Sequence, residues 1–208
     1  IAAAHIGSNH HEYVFTEDEY YEALPVVINK LETYDPSLVR CAVPCYFTCK
    51  LAARHVTVVL TGEGADEVFA GYQYMKHFPV EQLNAEVRRL IQNVHNINLQ
   101  RADRMGMLFS LELRVPFFDL ALIDLGMKIA PELKIRADDG GRVEKWILRQ
   151  AFAGTGYLPD DILWRYKVQY TQGAGCEHLG ERLAESEISD SDFERIRAEN
   201  PDAVINSK

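Results

Sequence analysis

Long apolar runs are absent from this sequence, and none approaches the length of a membrane-spanning helix. The first residues, Ile1 to His5, also lack the basic and apolar regions of a secretion signal. Cysteine is scarce, and the four present show no disulfide-framework spacing, so we expect a reducing, cytoplasmic compartment. Basic residues are outnumbered, and a net charge of −9 argues against binding to nucleic-acid phosphates.

The remaining composition is that of a globular chain. Hydrophobic residues make up 47% and charged residues 25% of the 208 positions, which disfavours wholesale disorder. The length suits one domain over residues 1–208. Because the chain starts at Ile1 instead of Met and ends in polar residues, we expect a partial domain of a longer protein.

Most of the sequence has helical periodicity. Residues 16–19 form a capping box before a helix that extends toward Tyr34, in which Pro25 either starts a new turn or causes a kink. Residues 36–55 are again helical, with a break expected near Pro44. Further helices are expected over 80–97, 98–111, 119–129, 143–153 and 177–199.

One short strand is clear. The β-branched run at 56–60 ends at a turn with two glycines, residues 61–64, and a helix is expected from Ala65. Residues 11–15 are a plausible second strand. A strand that enters a helix through a glycine turn predicts an α/β sheet covered by helices, and two strands are too few, so we expect further strands before Ile1.

The turn after the strand at 56–60 has the strongest functional signal. Ligands of open α/β sheets bind at the carboxyl ends of strands, and amide N–H groups at a helix start suit phosphate. Three carboxylates follow one another here, Glu63, Asp66 and Glu67. Carboxylates that face a polyphosphate need a divalent cation, and Mg²⁺ bound to one or two of them fits. Alternatively, these acids are first-turn residues that the helix dipole favours, and the residues alone support both interpretations about equally.

The residues around this turn resemble a known family. The stretch Val58–Tyr72, V-V-L-T-G-E-G-A-D-E-V-F-A-G-Y, is similar to the signature of the glutamine-hydrolysing asparagine synthetases. Four more blocks resemble that family's synthetase domain in the same order: Glu32–Asp35, Arg101–Arg104, Glu112–Asp119 and Leu163–Lys167. The resemblance covers the chain from about His10 to the end, and five blocks in the same order are far more specific than any single block.

The resemblance implies a fold and an activity. The fold is a HUP-like adenine-nucleotide α-hydrolase domain, an α/β fold with a parallel sheet packed by helices, helix-rich in these residues. The activity is that of a ligase and amidotransferase in asparagine biosynthesis. ATP activates the side-chain carboxylate of aspartate as β-aspartyl-AMP and releases pyrophosphate, and ammonia from a glutaminase domain then gives asparagine and AMP. The cofactors that the resemblance implies are ATP and Mg²⁺. The implied partners are aspartate, ATP and ammonia, and the resemblance is compatible with a homodimer.

Nucleotide and catalytic roles follow from the resemblance by position. Thr61 and Gly62 are expected to contact ATP, and Lys167 to meet its phosphates. Glu63 is expected to assist formation of the intermediate and the attack by ammonia, which needs a proton acceptor. Without the resemblance, Lys167 is better interpreted as an exposed loop lysine.

Metal and substrate roles follow in the same way. Asp66 is expected to hold Mg²⁺ against pyrophosphate, and Glu67 and Arg114 to lie at the aspartate pocket. Arg114 can pair with a substrate carboxylate through two hydrogen bonds. From the residues alone, a structural salt bridge to Glu112 or Asp119 is favoured for this arginine.

Two features of the family are missing from the sequence. These are the pyrophosphate loop Ser-Gly-Gly-x-Asp-Ser and the amino-terminal cysteine of the glutaminase domain. We therefore expect these 208 residues to be part of a longer enzyme. Alone, they are expected to be a poor catalyst or none. The alternatives are adenylation of another carboxylate, as in β-lactam-forming relatives, and a non-catalytic domain that binds a nucleotide or a partner.

Two other groups of residues have weaker signals. Cys41, Cys45 and Cys49 recur on one helical face, but no fourth metal ligand stands at recognisable spacing, so a place in the core is the better interpretation. Residues 10–12, His-His-Glu, are better interpreted as surface than as a metal site.

Overall fold

Helices dominate this computed structural model, which describes residues 1–138 and 141–201. In chain order the elements are α1 (Ala2–Ile6), α2 (Glu17–Leu31), α3 (Pro36–Ala52), β1 (Val58–Leu60), α4 (Ala65–Phe69), α5 (Val80–Asn93), α6 (Asn98–Leu108), β2 (Glu112–Arg114), α7 (Leu120–Lys128), α8 (Pro131–Lys134), β3 (Arg136–Asp138), β4 (Gly141–Val143), α9 (Trp146–Phe152), α10 (Asp160–Leu163), α11 (Tyr170–Gly173), α12 (Leu179–Glu187) and α13 (Asp190–Glu199). Short 3₁₀ helices lie at Gln73–His77, Val94–Asn96 and Pro116–Phe118. Within the described part of the chain, none of the helices combines the length and apolarity needed to cross a membrane.

The first two long helices are α2, which begins at a local capping motif, and α3, which continues through a buried proline. The predicted capping box of α2 is confirmed, since the Thr16 hydroxyl accepts from the Glu19 amide at 3.2 Å and the Glu19 carboxylate accepts from the Thr16 amide at 2.8 Å. The predicted break near Pro44 is wrong, because α3 continues through this residue. Pro44 is buried, and its carbonyl accepts a hydrogen bond from the Thr48 hydroxyl, so packing offsets the proline penalty.

The site lies next to a small parallel sheet. β1 pairs with β2 in the register Val58 to Glu112 and Leu60 to Arg114. The prediction of a strand at residues 11–15 is wrong, because this segment is irregular and stacks the rings of Tyr13 and Phe15 on Phe47 of α3 instead. The expected parallel sheet with helical cover is therefore present as two strands among many helices.

The second sheet is a short antiparallel hairpin. β3 pairs with β4, and Arg136 stands opposite Val143. A turn is predicted from sequence at residues 138–141, of which 139 and 140 lie outside the described residues. Two residues after β4 the chain enters α9. The second of them, Lys145, reaches Asp66 of α4, which follows β1 of the parallel sheet.

The parallel sheet packs against the larger of two hydrophobic cores. This core is formed by α2, α3 and α6, and Val59 of β1 and Leu113 of β2 pack against it. The smaller core contains Ala70, at the end of α4, together with residues of α5 and Ile135. The strand before the turn at 61–64 and the end of the helix after it therefore pack into different cores.

Candidate functional site

The turn between β1 and α4 has a conformation that requires glycine. The Thr61 amide donates to the Arg114 carbonyl at 2.9 Å, which extends the strand pairing by one residue. Gly64 then adopts φ 100°, and a Cβ there would lie 2.8 Å from the Phe118 ring. At Gly62, in contrast, a Cβ would meet nothing within 4 Å, so the turn is open on that side.

Asp66 lies between two lysines. Its Oδ1 accepts from Nζ of Lys145 at 2.7 Å, and its Oδ2 accepts from Nζ of Lys167. Burial opposes ionisation, but the two ammonium groups outweigh it and lower the pKa of Asp66. Gly71 leaves room for this carboxylate, because a Cβ at Gly71 would overlap it.

Lys167 and Lys145 reach Asp66 from separate parts of the chain. Lys167 has a side chain only 14% exposed, so its interpretation as an exposed loop lysine is wrong. Lys145 was not predicted as a site residue, since nothing in the local pattern distinguishes it from other lysines at a helix start. It has a left-handed backbone (φ 52°, ψ 32°) immediately before α9, a strained conformation that surrounding contacts must maintain.

Glu63 forms an ion pair with an arginine from α6. Arg101 has a side chain only 8% exposed, and its guanidinium donates to the Glu63 carboxylate. Burial raises the pKa of Glu63, and the opposing effect of Arg101 reduces this shift without cancelling it. A carboxylate with a raised pKa is suited to accept and return a proton near neutral pH. The sequence block 101–104 is part of the resemblance, but no role was predicted for Arg101.

Glu67 lies in a neutral polar cage. It is only 2% exposed, and its Oε1 accepts from the Tyr72 hydroxyl at 2.5 Å and from Nδ2 of Asn98 at 2.7 Å. Burial and the neighbouring carboxylate raise the pKa of the Tyr72 hydroxyl, so this phenol keeps its proton. Lys167 Nζ lies 5.3 Å from the Tyr72 ring centroid, which places this cage next to the Asp66 group. Asn98 and Tyr72 were not predicted as site residues.

Arg114 points away from these groups in its present conformation. Its Nε donates to Glu112 at 2.7 Å on the exposed face of β2, where both side chains are about 60% exposed. This is the structural salt bridge that the residues alone favoured. A place for Arg114 at an aspartate pocket stays a prediction.

The described residues do not form a magnesium site on their own. None of the groups of His, Cys, Asp and Glu in the described ranges has the arrangement to hold a metal ion. Asp66 supplies one carboxylate, and both of its oxygens already accept from lysines. A Mg²⁺ ion at Asp66 also stays a prediction.

The two weaker groups of residues add no site. Cys49 is buried in the larger core and Cys45 packs against it, as the core interpretation predicts, whereas Cys41 is half-buried and is not among the residues of this core. His10 lies 3.6 Å from Glu12, with both side chains well exposed. This agrees with the surface interpretation of residues 10–12.

Taken together, these residues define a class of site. Glu63, Asp66 and Glu67 follow a parallel strand through a glycine turn, and Arg101, Lys145 and Lys167 converge on them from distant elements. Such an arrangement at the carboxyl end of a strand is typical of α/β domains that bind a charged small molecule.

Comparison with known proteins identifies the family. The asparagine synthase family model matches residues 1–87 and 79–204, so this chain belongs to the asparagine synthase family. It is 39% identical to the "Probable asparagine synthetase [glutamine-hydrolyzing]" of Dictyostelium discoideum, over 99% of this chain and 39% of that protein. It is 41% identical to the "Asparagine synthetase [glutamine-hydrolyzing] 1" of Saccharomyces cerevisiae, over 95% of this chain and 36% of the relative. The chain thus spans somewhat more than a third of the length of these relatives.

Proposed function

We propose that this chain forms the aspartate-activating part of a glutamine-hydrolysing asparagine synthetase. The observation that supports this best is the Asp66 cluster with Lys145 and Lys167, beside a half-buried Glu63 of raised pKa, in a chain of the asparagine synthase family. The proposed reaction joins aspartate and ammonia at the expense of ATP and yields asparagine, AMP and pyrophosphate. Aspartate, ATP and ammonia from a glutaminase domain are the proposed partners.

The first half-reaction transfers an adenylyl group. An oxygen of the aspartate side-chain carboxylate attacks the α-phosphorus of ATP, and the bond from that phosphorus to pyrophosphate breaks. Negative charge grows on the departing pyrophosphate, and ammonium groups fixed near it stabilise this charge. Lys167 has this role in the proposal, and Thr61 and Gly62 contact the nucleotide along the open side of the turn.

The second half-reaction forms the amide. The ammonia nitrogen attacks the activated carbonyl carbon, loses a proton and displaces AMP. Glu63 accepts that proton, for which its raised pKa makes it better suited than an exposed carboxylate. Arg101 holds the Glu63 carboxylate in place through their ion pair. Glu67, with its hydrogen-bonded cage, and Arg114 contribute to the aspartate pocket in this proposal.

The test replaces Glu63 by Gln in the complete protein that its gene encodes. Asparagine formation from aspartate, ATP and ammonia is expected to fall about 100-fold or more, since general base catalysis contributes about this much. Chromatography of the amino-acid product measures the rate. Glu199→Gln, at an exposed acid on α13, is the control and is expected to keep its activity. Unchanged asparagine formation by Glu63→Gln would disprove the role of Glu63, and activity only with a different carboxylic acid would overturn the proposed substrate.

A further inference from the structure

Glu144 is a buried carboxylate to which no role has yet been given. Its side chain is 3% exposed and lies between two cations, Nζ of Lys76 at 2.6 Å and Nη2 of Arg149 at 2.5 Å. Burial opposes ionisation, but these hydrogen bonds and charges lower the pKa of Glu144, which is therefore ionised at neutral pH. Replacing such buried ion pairs by apolar groups is often neutral or stabilising, so stability alone is a weak explanation for this group.

The arginine beside Glu144 holds the segment that leads to Lys167. Nη1 of Arg149 donates to the carbonyl of Leu163 at 2.5 Å and to that of Arg165 at 3.1 Å. The guanidinium is therefore fixed at one side by Glu144 and at the other by the backbone two residues before Lys167. Any shift of Glu144 or Arg149 would move this backbone.

The lysine beside Glu144 holds the same segment from the opposite side. Lys76 lies in the 3₁₀ helix Gln73–His77, and its Nζ is 5.5 Å from the ring centroid of Tyr166. In the same helix, Nε2 of Gln73 donates to the carbonyl of Lys167 at 3.2 Å. The Lys167 segment is thus held between the 3₁₀ helix and Arg149, and Glu144 joins the two supports.

Glu144 also determines the backbone of its neighbour. Its carbonyl accepts from Nε of Arg149 at 3.0 Å, so both its main chain and its side chain are held by one guanidinium. The next residue, Lys145, is the one with the left-handed backbone, and its side chain reaches Asp66. Glu144 therefore acts on both lysines of the Asp66 cluster, on one through the chain and on the other through Arg149 and Lys76.

We infer that Glu144 is a positioning residue which holds Lys145 and Lys167 together as a two-lysine site for a phosphate-containing anion. Two ammonium groups share the single carboxylate of Asp66, and each ammonium has three N–H donors, so both lysines keep donors for a second acceptor. Both lysines line a cavity of about 370 Å³ together with Arg149, Arg165 and mainly apolar side chains, so an anion has space beside them. Only the identification of this anion as the pyrophosphate part of ATP rests on the proposed function.

The experiment measures pyrophosphate binding to the complete protein by titration calorimetry. Lys145→Met and Lys167→Met are each expected to weaken binding about 10-fold or more, and Glu144→Gln is expected to weaken it similarly although Glu144 touches no ligand. Glu144→Asp should restore part of the affinity. Glu199→Gln, at an exposed acid of α13 that forms an ion pair with Arg195, is the control and should bind normally. In steady-state kinetics, Glu144→Gln should raise KM for ATP and leave KM for aspartate unchanged.

A purely structural role gives a different result. In that case Glu144→Gln would lower the melting temperature, yet the folded variant would bind pyrophosphate with the affinity of the wild type, and the inference would be overturned. If Glu144→Gln does not fold, Lys76→Met serves instead, because Lys76 pairs with Glu144 and does not line the cavity. Normal pyrophosphate affinity in Lys76→Met or Lys145→Met also overturns the inference. Pyrophosphate binding without asparagine formation would contradict the proposed function alone.

Discussion

At the scale of single residues, one buried charge stands apart from the ion pairs of the site. Lys134 at the end of α8 is fully buried, and its ammonium group has no hydrogen-bond partner among the described residues. Burial lowers its pKa from the ordinary 10.5 to about 8. The folded state disfavours the charged form of Lys134. The free energy of unfolding therefore carries no penalty from this group above pH 10.5, and it falls as the pH is lowered toward 8.

Replacing Lys134 by Met should therefore stabilise the protein. At pH 7 the free energy of unfolding is expected to rise by about 2 kcal/mol, since the penalty for a buried ammonium disappears and an apolar chain of similar length fills the space. The gain should shrink as the pH is raised from 8 to 10.5. Urea unfolding at several pH values measures both effects. Lys128→Met, at an exposed lysine, is the control, and a Lys134→Met variant no more stable than the wild type at pH 7 would contradict the prediction.

From the local pattern alone only the acids of the site were predictable, and Lys167 was predicted through the family resemblance. Glu63, Asp66 and Glu67 follow a strand through a glycine turn, and that pattern is readable without a structure. Their partners are not local, because Arg101 lies 38 residues from Glu63, and Lys145 lies 79 residues from Asp66. Nothing in a single sequence reports which distant cation reaches which acid.

At the scale of elements, the turn between β1 and α4 depends on one of its two glycines. We expect Gly64→Ala to lower the free energy of unfolding by about 2 kcal/mol or more, because alanine is strained at φ 100° and its Cβ would strike Phe118. Gly62→Ala is the matched control, since its Cβ meets nothing within 4 Å. It should leave stability nearly unchanged and weaken ATP binding if Gly62 contacts the nucleotide.

Urea unfolding and ATP titration of the two alanine variants separate these effects. Equal stability losses in Gly64→Ala and Gly62→Ala would show that the conformation of Gly64 is not what the turn requires. A Gly62→Ala variant with normal ATP affinity would contradict the predicted contact of Gly62 with ATP.

Elements were predictable to the extent that local signals determine them. Helical periodicity identified α2, α3 and α5, because buried positions recur along each of them. β2 was missed, because three residues are too few to show alternation and its partner β1 lies far away in sequence. Residues 11–15 have strand-like composition. Their aromatic rings, however, stack on Phe47 of α3, and the segment is irregular.

At the scale of the whole molecule, two carboxylates join separate elements, because each of them pairs with two cations. Asp66 of α4 pairs with Lys145, which precedes α9, and with Lys167. Glu144 pairs with Lys76 of the 3₁₀ helix Gln73–His77 and with Arg149 of α9. These ion pairs connect the elements only while both acids are ionised.

This arrangement makes stability depend on acidity in a definite direction. The folded pKa values of Asp66 and Glu144 lie below their ordinary values of 3.8 and 4.5. Their contribution to stability is therefore complete above about pH 4.5 and is lost as the pH falls through the lower folded values. Glu144→Gln should cost about 3 kcal/mol at pH 7, because Lys76 and Arg149 stay buried without their carboxylate, and the cost should shrink below pH 4.5.

Urea unfolding of the wild type and Glu144→Gln between pH 3 and 7 tests this prediction. Glu199→Gln provides the contrast, because Glu199 and its partner Arg195 are both exposed and such a pair contributes about 1 kcal/mol or less. A cost for Glu144→Gln that stays constant down to pH 3 would mean that folding does not lower the pKa of Glu144. The ion pairs of Glu144 with Lys76 and Arg149 would then not favour its ionised form in the folded protein.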